Sequence, residues 1–219
     1  MKNLDEWLAA TTPFHTFESC DTVKLEAIVT ALEDFRSDSN HGFSKMMEFE
    51  EIKQRLSSQG IVEPESRTDV GWDDATFSWL CSLPGAEGLP EPLGNDKSRE
   101  RLGRFPWSDG SPLSYLLEHI TIEDDGAELL ELVGELANRF SIENVGHDNY
   151  RRGSGGMCLL GYLNRDECDK LRNLLLRGKW AVSSDEIFDG GVRDIAKYLI
   201  IVLRQASSRG YGLLLRAHS

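Results

Sequence analysis

The chain has 219 residues, 40% of them hydrophobic and 28% charged, with a formal net charge of −13. That balance excludes wholesale disorder, which needs low hydrophobicity together with high charge. No apolar run approaches the ~20 residues that cross a bilayer, and no membrane partner is expected. The charge is divided unevenly. Residues 1–150 carry 12 Lys+Arg against 30 Asp+Glu, a net of −18, and residues 151–219 carry 12 against 7, a net of +5. Such a front repels a phosphate backbone, which argues against nucleic acid as a partner. The arginines of the tail are expected to pair internally with the acidic front.

The opening MKNLDEWLAATTPFH has acids where a secretory leader carries basic residues, which predicts a cytoplasmic protein. The first 60 residues read as helices. Asp21 or Thr22 caps a helix carrying Val23, Ala27, Ala31, Leu32 and Phe35, and a second carries Met46, Phe49, Ile52 and Leu56. Gly60 stops the second helix in a left-handed conformation. A short helix with Phe77, Trp79 and Leu80 follows the polar stretch 61–71, which contains Pro64. The run SLPGAEGLPEPLGN is a loop, because proline lacks the donor that helices and central strands need.

Ser111-Pro112 starts a helix through Tyr115, Leu116 and Leu117 to His119. Another spans 123–140 and buries Leu129, Leu132, Val133, Leu136 and Phe140. The segment GMCLLGYL reads as a buried strand. Asn164, with Glu167 three positions on, opens a helix that ends at Gly178. A long helix from Gly191 to Ser208 stops at Gly210, and YGLLLRAH forms the last strand. The expected fold class is α+β, predominantly helical, with a small C-terminal β-sheet from a β-α-α-β tail. The expected division is a helical region 1–82, a Pro/Gly-rich loop or linker 83–110, and an α+β region 111–219.

No motif of high specificity carries chemistry. Cys20, Cys81, Cys158 and Cys168 form no C-x-x-C pair, and no histidine has metal-ligand spacing beside them, so reduced thiols and no metal or cofactor are expected. The polar run His147–Gly156 could use His147 as acid or base and Arg151 or Arg152 to hold an anionic substrate. Its glycines precede a strand, whereas a phosphate loop precedes a helix, so the run reads first as a connecting loop. Paired acids read first as helix starts and solvated faces.

The tail segments GYLNRDECDKL (161–171) and LRQASSRGYGLLL (203–215) resemble small uncharacterised bacterial domains of the YfbM-like kind. There, a strand enters a capped helix, and a late helix ends in glycine before a closing strand. The resemblance covers about 60 of the 219 residues. Several such domains look like immunity or toxin-neighbour proteins, and the resemblance implies a similar role without assigning catalytic residues. The expected function is therefore a non-enzymatic immunity protein that neutralises a basic toxin. Its contacts would be Glu48, Glu50, Glu51, Asp73, Asp74, Asp124 and Asp125, with Trp72 or Trp107 as apolar anchors. The alternatives are an enzyme or ligand binder built on the 147–156 loop, and a structural subunit that docks a neighbour through 83–94.

Overall fold

The computed structural model describes residues 14–37, 39–83, 101–103, 105, 107, 110–122, 126–140, 150–177 and 179–218, with the backbone alone at 35–37 and 101–103. The chain opens with β1 (Phe14–Cys20), α1 (Thr22–Ser37), α2 (His41–Met46), α3 (Glu50–Ser58) and α4 (Asp74–Cys81). It continues with β2 (Arg101–Gly103), α5 (Pro112–His119), β3 (Ile120–Ile122) and α6 (Ala127–Asn138). The tail is β4 (Met157–Leu163), α7 (Arg165–Arg177), β5 (Trp180–Val182), α8 (Gly191–Ser208) and β6 (Gly212–His218). The fold is α+β and mostly helical, as expected.

The main sheet has the order β2-β1-β6-β4. β1 pairs antiparallel with β6 along its whole length, from Phe14 opposite His218 to Cys20 opposite Gly212. β4 pairs antiparallel with the other edge of β6, with a register shift between Leu159 and Gly161. The tail strands are therefore neighbours, but the sheet also recruits β1, which the helical reading of the first 60 residues missed, and β2, which falls within the predicted loop 83–110. β5 pairs with β3 in a separate two-stranded ladder.

Both faces of the main sheet are covered. Leu213 and Leu215 of β6, Phe17 of β1 and Leu163 of β4 pack with Leu116, Val133, Leu171 and Leu199 of α5–α8. Leu214, Cys20, Leu159 and Tyr162 turn the other way and pack with Leu25, Ile28, Ile52, Leu56 and Phe77 of α1, α3 and α4. Successive strand residues point to opposite faces, so a strand buried on both sides tends toward a continuous apolar run. That explains the unbroken leucines of β6.

Helix periodicity was legible with two departures. In α1 the inward residues are Leu25, Ile28, Ala31 and Leu32, while Val23 in the first turn is exposed. The second predicted helix is broken at Met47–Phe49 into α2 and α3. The predicted cap of α7 is reciprocal: Glu167 N–H donates to Asn164 Oδ1 at 2.9 Å, and Asn164 N–H donates to Glu167 Oε2 at 2.7 Å.

β4 lies at the end of the sheet order, and several of its main-chain groups bond outside the ladder. Leu159 N–H donates to Asp74 Oδ1 at 3.2 Å, and Leu159 C=O accepts from Arg152 Nη2 at 3.0 Å. Leu160 C=O accepts from Phe140 N–H at 2.9 Å. An edge satisfied this way offers less template for pairing with another chain. Asp74, 1% exposed, also accepts from Tyr150 Oη at 3.0 Å and Gly153 N–H at 2.6 Å. One carboxyl thus joins α4, the 150–153 turn and β4. Replacing it leaves three donors without this acceptor, so Asp74→Ala is expected to lower the unfolding free energy by about 3 kcal/mol. Urea denaturation measures it, and a loss below about 1 kcal/mol would contradict this role.

Candidate binding groove

The site builds from α3. Its buried residues Ile52, Arg55 and Leu56 face the core, and Arg55 Nη1 donates to Trp79 O at 2.7 Å, Leu80 O at 2.9 Å and Ser82 O at 2.8 Å. These carbonyls end α4, so the guanidinium caps one helix and fixes the other. The opposite pattern, Glu50, Lys53, Gln54 and Ser57, recurs at three- and four-residue steps and shares an outer face. Gly60 ends the helix with φ +82°, as predicted; Gly60 N–H reaches Ser57 O at 2.9 Å and Ile61 N–H reaches Leu56 O at 3.0 Å. This left-handed stop turns the chain back.

A groove of about 630 Å³ lies between that outer face and the returning segment, lined by Met47, Glu50, Lys53, Gln54, Ser57, Val62, Glu63 and Pro64. Val62 is 68% exposed, a large apolar side chain offered to solvent. Glu63 has φ +50°, the only positive φ at a non-glycine position among the described residues. Such backbone strain persists only where the surroundings impose it. Glu50 is paired with Lys53 at 3.3 Å, but both are well exposed, and pairs of this kind contribute about 0–1 kcal/mol. The groove suits a cationic side chain whose methylene stem lies on Met47, Val62 and Pro64 while its head reaches Glu50 or Glu63.

The expected contact residues divide sharply. Glu48 and Glu50 are exposed beside or in the groove. Glu51 turns to Lys24, whose nearly buried ammonium also holds Asp21 at 3.2 Å, so this acid is engaged internally. Asp73 is the N-cap of α4, accepting from Thr76 N–H at 2.7 Å, and Asp74 is buried as described. Trp72 is 1% exposed with its indole N–H on Arg67 O at 2.8 Å, which corrects its reading as an anchor. Trp107 lies on the α5–α8 side of the sheet, half-buried against Tyr115 and His119, with its N–H on Glu118 at 3.0 Å. It cannot act with the groove. Asp124, Asp125 and His147 lie outside the described residues, as does 84–100 of the predicted loop.

The anion-binding alternative loses Arg152 to the fold. Arg152 donates to Phe140 O, to Leu159 O and to Cys158 Sγ, so its guanidinium serves the fold. Arg151 is exposed, but its Nη2 lies 3.4 Å from Asp73. Thiol chemistry is disfavoured as well. Burial pushes the Cys20 and Cys81 thiols far up and that of Cys168 up to about 12, so none of the three supplies a thiolate at neutral pH. Among the described residues no three His, Cys, Asp or Glu could hold a metal ion.

Sequence reasoning missed Lys53, Val62, Glu63 and Pro64 as site residues. The available signal was the helix stop at Gly60 followed at once by Val62-Glu63-Pro64, an apolar-acid-proline return beside an acidic helix face.

If Glu63 is held in its left-handed conformation for the groove rather than for folding, Glu63→Gly should leave stability unchanged or raise it by about 1 kcal/mol. Thermal unfolding tests this; a loss of more than about 1 kcal/mol would show that the Glu63 side chain supports the fold instead.

No family model, no curated protein and no solved structure matches the chain.

Proposed function

We propose that this chain is a non-enzymatic binding protein whose groove along α3 receives a cationic segment of a protein partner. The observation that carries the reading is the pairing of exposed carboxylates, Glu50 and Glu63, with exposed apolar surface at Val62 in one groove. The most concrete form of the proposal is a cytoplasmic bacterial immunity protein that neutralises a basic toxin, with no membrane or nucleic acid involved. The resemblance of the tail to toxin-neighbour domains and the charge surplus of the front support it.

Internal pairing consumes part of that surplus but leaves the groove. Tail cations meet front acids at Arg151–Asp73, Lys170–Glu128 and Arg216–Glu18. None of these pairs involves Glu48, Glu50 or Glu63. Acids that the tail leaves unpaired, and that are at most in an exposed pair such as Glu50–Lys53, raise the rate of encounter with a basic partner and oppose wrong ones. No helix among the described residues is long and apolar enough to cross a membrane.

The test is co-purification with the product of the adjacent gene, followed by titration at rising salt. The charge-reversed double variant Glu50→Lys/Glu63→Lys should bind at least tenfold more weakly, mainly through slower association, with its salt dependence reduced. Failure of the neighbouring product to bind, or equal affinity of the double variant, would remove the basis for the reading.

A further inference from the structure

A second cavity, of about 480 Å³, lies on the other face of the sheet, where β1, β4 and β6 meet α5 and α6. His15 of β1 and Ala217 of β6, direct partners in the ladder, line it from the sheet. Leu117, Leu160 and Ala137 contribute apolar surface, and Ser111, Ser114 and Asn138 add two hydroxyls and an amide. His15 is 3% exposed, so its imidazole is a buried group on the cavity wall.

Gly134 of α6 is the second observation. A glycine inside a helix is about 1 kcal/mol less favourable than alanine, so a packing reason is expected for it. Here, apart from its chain neighbours and the nearby backbone of its own helix, a Cβ would meet no atom of the described residues within 4 Å. Crowding among those residues does not account for the glycine. It presents bare helix backbone to the cavity, which lets a flat group approach closely.

The lining selects the chemistry. Among the described residues it contains no Asp, Glu, Lys or Arg, in a chain of which 28% is charged. An ionised ligand would lose hydration there without meeting an opposite charge. Hydroxyl, amide and imidazole groups can each donate or accept, which suits a molecule carrying both kinds of edge. The volume falls within the roughly 300–1,000 Å³ of small-molecule sites.

We propose that this cavity binds an uncharged planar heterocycle of nucleoside size. The ring lies against the backbone at Gly134 and the aliphatic side chains of Leu117 and Leu160, and its polar edge meets His15, Ser114 and Asn138. The site is independent of the groove along α3.

Calorimetric titration of the full chain with adenosine, guanosine, cytidine and uridine in turn tests this, with ribose as a control arm. At least one nucleoside should bind with Kd below about 1 mM, while ribose should not. Gly134→Leu should leave Tm unchanged or raised and weaken that nucleoside at least tenfold. Ser114→Ala should weaken it about three- to tenfold, the loss of one hydrogen bond. The proposal is overturned if no nucleoside binds, if ribose binds as well as the nucleosides do, or if affinity is unchanged in both variants. It is equally overturned if Gly134→Leu lowers Tm or fails to fold, because another part of the chain would then fill that space.

Discussion

The pairing of β1 with β6 is the constraint on which the remaining architecture rests. It joins the first described residues to the last along seven consecutive positions, and it places β6 in the interior of the sheet. With β6 central, its alternate leucines supply two cores at once, Leu213 and Leu215 on one side and Leu214 on the other. The helices before residue 82 cover one face and those after residue 111 cover the other. A pairing between chain ends closes a very long loop, so it is entropically expensive and depends on the burial it makes possible.

Electrostatics follow this partition. Arg216 is 1% exposed and meets Glu18 at 3.0 Å across the β6–β1 pair, a buried charge that needs its partner. Arg139 reaches Glu167 at 2.9 Å and Tyr162 at 4.3 Å from its ring centre, bridging α6, α7 and β4. The tail cations Arg151, Lys170 and Arg216 are thus partly spent on pairs within the fold. Glu48, Glu50 and Glu63, which take part in none of these tail pairs, lie in or beside the groove along α3. The groove and the cavity beside Gly134 lie on opposite sides of the sheet, so each can be altered without touching the other.

Acidic residues adjacent in sequence proved to have unrelated duties. Asp73 caps a helix and Asp74, its neighbour, is buried under β4, although nothing in the dipeptide distinguishes them. The difference arises from partners 76 to 85 residues away, Tyr150, Gly153 and Leu159. The same holds for the 150–156 turn, read from sequence first as a connecting loop and alternatively as an anion site: Arg152 bonds to Leu159 and Phe140 and Gly153 to Asp74, which fastens the edge strand.

The amino-acid order by itself determined the features governed by near neighbours. Helix caps at Ser111 and Asn164, the stop at Gly60, the inward stripe of α6 and the buried run of β4 all depend on residues within one or two turns, so local spacing reveals them. Only the tertiary structure decided that Phe14–Cys20 is a strand, since its pairing partner lies some two hundred residues downstream. It alone decided that Trp72 is core and that Glu50, Val62 and Glu63 share a groove. Burial and convergence are properties of segments brought together in space, and periodicity along one segment carries no record of which others will face it.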